Sequence, residues 1–169
     1  MGFLHVYTGD GKGKTTAALG LALRAVCAGK RVFMGQFLKG MAYSELKAPD
    51  LLPGFTIEQF GDSCFVGREP SPEEIAMAQR GLQRMREVLQ GGDYDVVIFD
   101  EVHMALFFRL IGLEELLEVL ALRGEGVEVI TTGRSAPREL MDAADLVTEM
   151  VEVKHYYQQG VLSRRGIDN

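Results

Sequence analysis

A three-layer α/β fold with a mainly parallel central sheet is what three features of this 169-residue sequence predict. Short apolar, β-prone runs alternate with helical stretches, the pattern of strands joined by crossover helices. A glycine-rich segment separates the first such run from the first helix. A nearly all-apolar run, Tyr94-Asp95-Val96-Val97-Ile98-Phe99, has the composition of a central strand covered on both faces. With 47% hydrophobic and 25% charged residues, 20 Gly and 5 Pro, residues 1–169 read as one ordinary domain without internal repeat or linker.

The elements follow in order. Phe3–Tyr7 is the first strand, and Lys14–Cys27, rich in Ala and Leu, is a helix closed by Ala28-Gly29. Arg31–Phe37 is the second strand, completing a βαβ unit and so implying parallel pairing. Leu38–Pro53 mixes Gly, Pro and polar residues and reads as a surface loop with a helical turn around Ser44–Lys47; Phe55–Phe60 is a weaker third strand. Ser71-Pro72-Glu73-Glu74 combines an N-cap, an N1 proline and an acidic first turn, opening a helix that runs to about Gln90 before Gly91-Gly92. Beyond the apolar strand come a helix at Gly112–Leu122, a strand at Val127–Thr131, a helix at Pro137–Ala143, a final strand at Leu146–Val153 and a polar tail.

The formal net charge of −6 argues against a nucleic-acid binder held by phosphate neutralisation. The charge is uneven. Met1–Lys47 carries seven basic and two acidic residues (+5), Ala48–Val153 eight and twenty-one (−13), and the last sixteen residues three and one (+2). Cys27 and Cys64 form no CxxC, and His5, His103 and His155 are scattered, so neither a disulfide framework nor a zinc site is indicated. No apolar run approaches membrane-spanning length and no targeting segment is evident, so the expected setting is the cytoplasm.

Gly9-Asp10-Gly11-Lys12-Gly13-Lys14-Thr15-Thr16, between a strand and a helix, has the context of a phosphate-binding loop. Its glycines let backbone N–H groups converge on an anion at a helix N-terminus. Lys14 can neutralise phosphate oxygens and the Thr15 hydroxyl can ligate Mg²⁺. The expected architecture is therefore a P-loop NTPase-like, RecA-like fold. Thr8 stands where the generic GxxxxGK[ST] pattern has its first glycine. A GxGxxG dinucleotide fingerprint fails at Lys14, and no Asn-Lys-x-Asp is present for guanine.

Asp100-Glu101 closes the apolar strand, the place where α/β folds bind ligands and where a Walker B acid holds Mg²⁺. His103 completes Asp-Glu-Val-His, a helicase-like string, but one small acidic domain lacks the paired domains and basic channel of a helicase. His103 is read as a packing residue.

Taken together, these segments resemble the ATP:corrinoid adenosyltransferases of cobalamin biosynthesis. The resemblance rests on Tyr7–Ala18, Leu21-Ala22-Leu23-Arg24, Gln36-Phe37-Leu38-Lys39-Gly40, Val97–Glu101, Thr132-Gly133-Arg134 with Ala136-Pro137, and Ala144–Met150 through Val153-Lys154-His155, nearly the whole chain. It implies that cobalt(I) of a reduced corrinoid, cob(I)yrinic acid a,c-diamide or cobalamin, attacks the 5′ carbon of ATP and releases triphosphate. ATP would lie in the reverse sense to most P-loop proteins. By position the resemblance assigns Lys14, Thr15 and Glu101 to catalysis, and Gly9, Asp10, Gly11, Lys12, Gly13, Lys14, Thr15, Thr16, Arg24 and Arg134 to ATP. Thr15, Asp100 and Glu101 would hold Mg²⁺ or Mn²⁺, and Gln36, Lys39, Tyr43, Glu45 and Phe65 would line the corrinoid pocket. Some members carry an aromatic Phe-Thr-Trp segment where this chain has Cys64-Phe65-Val66-Gly67 and no Trp. A homodimer and a flavoprotein reductant are also implied. The cationic tail around Lys154, Arg164 and Arg165 is expected to fold back over the nucleotide or corrinoid. A small-molecule kinase and a non-catalytic nucleotide-dependent binding module are the alternatives to be discriminated.

Overall fold

The computed structural model describes residues 1–62 and 69–169. Six strands, β1 (Leu4–Thr8), β2 (Val32–Phe37), β3 (Phe55–Phe60), β4 (Val96–Asp100), β5 (Glu128–Thr132) and β6 (Leu146–Glu149), form one sheet in the order β3-β2-β4-β5-β1-β6. All the pairings are parallel. The helices are α1 (Lys14–Cys27), α2 (Ala48–Leu51), α3 (Pro72–Gly91), α4 (Val102–Phe107), α5 (Leu113–Ala121) and α6 (Arg138–Asp142), with 3₁₀ turns at Ser44–Lys47 and Tyr156–Gln159. Among the described residues, no helix is long and apolar enough to cross a membrane.

Strand alternation sorts the core into two layers. Phe33, Phe37, Val97, Phe99 and Val129 point to the side covered by Leu82, Met85 and Val88 of α3, Leu116, Val119 and Leu120 of α5, and Leu140 of α6. Val32, Met34, Val96, Ile98 and Ile130 point to the opposite side, where α1 contributes Ala18, Ala22 and Ala25. Those small side chains let α1 lie close on the sheet, which fixes its N-terminus over the strand ends.

The predicted helix start at Ser71 is a capping box: the Glu74 N–H donates to Ser71 Oγ (3.2 Å) and the Ser71 N–H to Glu74 Oε2 (2.7 Å). Two short helices, α2 and α4, lie where no helix is expected from the sequence. A run of Val102-His103-Met104-Ala105-Leu106-Phe107 lacks a capping side chain and is too short for a 3.6-residue period to register. The last strand ends at Glu149 and not at Val153. There the chain leaves the sheet: the Met150 N–H donates to the Thr8 carbonyl (2.8 Å), and the Met150 carbonyl turns to accept from the Gly11 N–H (2.7 Å). Phe65 and Cys64 lie outside the described residues.

His103, at the start of α4, is fully buried. Its Nδ1 lies 2.9 Å from the Gly133 carbonyl, which can only accept, so Nδ1 carries the proton; Nε2, 2.9 Å from Thr131 Oγ1, is left to accept from that hydroxyl. A Cβ on Gly133 would lie 2.7 Å from His103 Cβ, so the glycine is needed for this close packing. Burial pushes the His103 pKa down from 6.5 to about 4.

Two outcomes follow for the fold. A Cβ on Gly35 would sit 2.4 Å from Met85 Sδ and 2.6 Å from Phe60 Cε2. Gly35→Ala is expected to cost about 1–3 kcal/mol by overpacking, lowering the thermal midpoint by roughly 2–4 °C per kcal/mol; an unchanged melt would contradict the packing described. His103 has a folded pKa below its unfolded one, so the unfolded chain binds the extra proton between pH 6.5 and about 4. The stability held above pH 6.5 is then lost as pH falls through that window, by up to about 3 kcal/mol. Denaturant titrations of wild type and His103→Gln at pH 7 and pH 4.5 check this, since the variant should lose less stability on acidification than the parent.

Candidate active site

Parallel strands present all their carboxyl ends at one edge, and the candidate residues collect there. Gln36 is paired in register with both Gln59 of β3 and Asp100 of β4, while Tyr7 pairs with Thr132. β5 lies between the strand that feeds the glycine-rich loop and the strand that ends in Asp100.

The loop between β1 and α1 is held open by glycine. Gly9 (φ 95°) and Gly13 (φ 120°) take left-handed conformations, and a Cβ on Gly9 or Gly11 would lie 2.4 or 2.7 Å from the Met150 carbonyl oxygen. The Lys14 ammonium donates to the carbonyls of Gly9 (2.7 Å) and Gly11 (2.8 Å). Burial lowers its pKa, Arg134 adds to that effect, and Glu101 opposes it. Thr8, in the position of the missing glycine, is buried, and its Oγ1 accepts from the Ala136 N–H (3.1 Å). That hydrogen bond ties the loop to the β5–α6 connection that carries Arg134.

Asp100 is completely buried, and both of its oxygens are occupied. Oδ1 accepts from the hydroxyls of Thr15 (2.8 Å) and Thr132 (2.7 Å). Oδ2 accepts from Lys39 Nζ (2.8 Å) and Gln36 Nε2 (3.2 Å). Lys39 reaches back because Leu38, just beyond β2, adopts a left-handed φ of 61°. Its ammonium also lies 3.6 Å from Glu45 and 5.1 Å from the centre of the Tyr43 ring. Burial works against the Lys39 charge, but Asp100, Glu45 and Glu101 outweigh it and hold the pKa above the ordinary lysine value.

Glu101 has a left-handed φ of 58°, and its N–H donates to Thr132 Oγ1 (3.0 Å). Such a conformation is strained for a residue with a Cβ, so the turn is over-determined by its surroundings. Burial, then the Asp100 charge, raises the Glu101 pKa, with Lys39, Lys14 and Arg134 pulling the other way.

These residues border one pocket of about 830 Å³. Asp10 to Thr16, Lys39, Tyr43, Glu45, Glu101 and Arg134 line it, with Asp100 and Gln36 buried behind. Arg24 is not brought there: it is exposed in the last turn of α1, ten residues and about 15 Å of helix from Lys14. Thr132, which bonds Asp100 and the Glu101 N–H, is a site residue beyond those the sequence reading names, although a Thr pair closing an apolar strand is a readable signal. The tail also forms part of the pocket, through His155, Tyr156, Ile167, Asp168 and others. Lys154, Arg164 and Arg165, the cations expected to bring it there, are all exposed and do not line the pocket.

The whole chain, residues 1–169, matches the family model described as ATP:corrinoid adenosyltransferase BtuR/CobO/CobP. A protein of Escherichia coli (strain K12) named corrinoid adenosyltransferase is 36% identical over 169 residues, covering 99% of this chain and 85% of that protein. Corrinoid adenosyltransferase CobA of Salmonella typhimurium is likewise 36% identical, with the same coverage. A corrinoid adenosyltransferase of Sinorhizobium sp is 30% identical, covering 99% of this chain and 80% of that protein. Among solved structures, the flagellar accessory protein FlaH from Methanocaldococcus jannaschii superposes with a TM-score of 0.61 at 13% identity, over 87% of this chain and 70% of that one. That likeness speaks for the fold alone, whereas the full-length family match and the curated relatives speak for descent: this chain belongs to the ATP:corrinoid adenosyltransferase family.

Proposed function

We propose that this protein transfers the 5′-deoxyadenosyl group of ATP to cobalt(I) of a corrinoid. The observation that carries the assignment is the meeting of a phosphate-type loop and an acidic strand end at one pocket in a chain that matches this family throughout. In the reaction, the electron pair of cobalt(I) forms the bond to C5′. The C5′–O bond breaks with its pair leaving on triphosphate, and cobalt becomes formally cobalt(III). No proton is removed from the nucleophile, so no general base is required. His103 suits no such role, with both ring nitrogens engaged inside the fold.

What the protein must supply is alignment and stabilisation of the charge that grows on the leaving group. The N–H groups of residues 12–16 at the α1 N-terminus and the Lys14 ammonium meet the second need, Lys14 exchanging its two loop carbonyls for phosphate oxygens, while the Gly11 N–H is taken by the Met150 carbonyl. Lys12 contributes its backbone N–H. Arg134, just beyond β5, faces the same space and serves the remainder of the nucleotide. Lys39, Tyr43 and Glu45 form the side on which the corrinoid would approach; Gln36, expected from the sequence to join them, is fully buried behind and holds Glu45 and Asp100 through its amide.

The pocket-facing donors fit a hard divalent cation: Glu101 and the Thr15 hydroxyl, whose proton goes to Asp100 and whose lone pairs face the pocket, would hold Mg²⁺ together with phosphate oxygens, while Asp100, expected from the sequence as a third ligand, already accepts from four donors and instead orients Thr15 from behind. Bound there, Mg²⁺ or Mn²⁺ would neutralise charge on the triphosphate. The raised pKa of Glu101 accords with a carboxylate placed to receive a cation. Family membership further supports a homodimer, a flavoprotein that generates cobalt(I), and action in the cytoplasm.

Anaerobic incubation with ATP, Mg²⁺ and chemically reduced corrinoid is expected to yield the adenosylated corrinoid spectrum and free triphosphate. ADP as the product would identify a kinase instead. Bound corrinoid without adenosylation would identify a binding module. Lys14→Ala is expected to lose at least about a hundredfold in turnover with an unchanged melting profile, and retained activity would contradict the role given to the loop.

A further inference from the structure

The segment from His155 to Asn169 runs across the mouth of the pocket, yet little apolar burial holds it there. Tyr157 is 67% exposed, Leu162 73% and Ile167 58%. It is fastened by polar contacts at two points. On one wall, Lys12 Nζ donates to the Ile167 carbonyl (3.0 Å) and pairs with Asp168 (2.8 Å). On the other, Ser44 Oγ donates to the carbonyl oxygen of Asn169 (2.9 Å).

Asp168 is where these contacts converge. Besides Lys12, its carboxylate accepts from the Tyr156 hydroxyl and from the Arg164 N–H (3.0 Å) and Nε (3.3 Å). The Arg164 guanidinium in turn lies 4.6 Å from the centre of the Tyr156 ring. The hydrogen bond from Lys12, then that from Tyr156, depresses the Asp168 pKa, so the group is ionised at neutral pH. One carboxylate therefore fixes the side chain of a loop lysine and the ring of a pocket-lining tyrosine at once.

We propose that residues 155–169 are a strap that closes the substrate pocket, latched by Asp168, and that the Lys12 side chain serves this latch and does not contact the triphosphate. The strap rests on the adenosyl-transfer assignment only for what it encloses. A segment held by charge-assisted hydrogen bonds, with few buried apolar contacts, opens at low cost. It can lift to admit a bulky substrate and reclose to shield the site from water. Asp168 is thus a positioning residue, acting through Lys12 and Tyr156.

The test uses the full chain. In Asp168→Ala, amide hydrogen exchange over residues 155–169 is expected to quicken in the absence of any ligand, and ATP with Mg²⁺ to dissociate about tenfold faster, the order expected for losing a charged hydrogen bond. KM for ATP should rise with a much smaller change in kcat. Asp168→Glu should restore most of the affinity. Lys12→Ala should reproduce the quickened tail exchange, and adding it to Asp168→Ala should change nothing further. Unchanged tail exchange in Asp168→Ala, or Lys12 and Asp168 effects on ATP affinity that add in full, would overturn the proposal. Because hydrogen exchange needs no turnover, failure of the strap is separable from failure of the reaction assignment, which the triphosphate product checks.

Discussion

A buried carboxylate is tolerated only where enough donors replace the water it has lost, and Asp100 obtains four from four parts of the chain. Thr15 comes from the first turn of α1, Thr132 from the end of β5, Gln36 from the end of β2 and Lys39 from the loop beyond it. The ion pair with Lys39 neutralises the charge, and the two hydroxyls and the amide fill the remaining acceptor capacity. Among the described residues, every buried side-chain nitrogen and oxygen has a partner. Satisfying Asp100 thereby sets the distance between the phosphate loop, the acidic strand and the 39–45 loop. The site is assembled by the same contacts that make the acid affordable to bury.

Sheet register is what lets this happen. Strand β4 is apolar from Val96 to Phe99, with both faces covered, so Asp100 is carried to the sheet's edge by packing that has nothing to do with its charge. β5 lies between β4 and the loop-bearing β1, which brings Thr132 within reach of Asp100. The left-handed turn at Glu101 then redirects its side chain into the pocket while Asp100 stays inside.

Much of this was legible in the sequence, for identifiable reasons. The alternation of strand and helix, the capping box at Ser71 and the glycine loop are local signals, and local signals survive in one dimension. Lys14, Thr15 and Glu101 could be assigned to one place because their spacing from a strand end is characteristic. Contacts made across the chain left no such trace. Sequence places Lys39 on the corrinoid side, but its bond to Asp100 depends on the turn at Leu38. Arg24 looked like part of a basic cluster in sequence, whereas helix geometry carries it away from the loop. The tail's positive charge points to the pocket, yet the groups that fasten it there are an acid, a tyrosine and backbone carbonyls. Short helices such as α4 are decided by tertiary packing around His103, which a period search does not detect.

The two walls of the pocket differ in how they are held, and the difference fits the substrates. The floor is densely bonded: Asp100 is buried with four donors, and Thr8 uses its hydroxyl to brace the connection that leads from Arg134 to α6. A glycine at position 8 would leave the Ala136 N–H without that acceptor, so the departure from the usual loop pattern has a local structural reason. The roof is polar and exposed, and its stability is of the order of a few hydrogen bonds. A triphosphate is flexible and can thread onto such a floor. A corrin macrocycle cannot, because it is broad and stiff and must enter through an opening of its own size. Attack at C5′ then demands that cobalt and carbon be held in line with water excluded. A floor fully hydrogen-bonded around Asp100 beneath a weakly fastened roof would, for the proposed reaction, meet both requirements, admission and alignment, without distortion of the sheet.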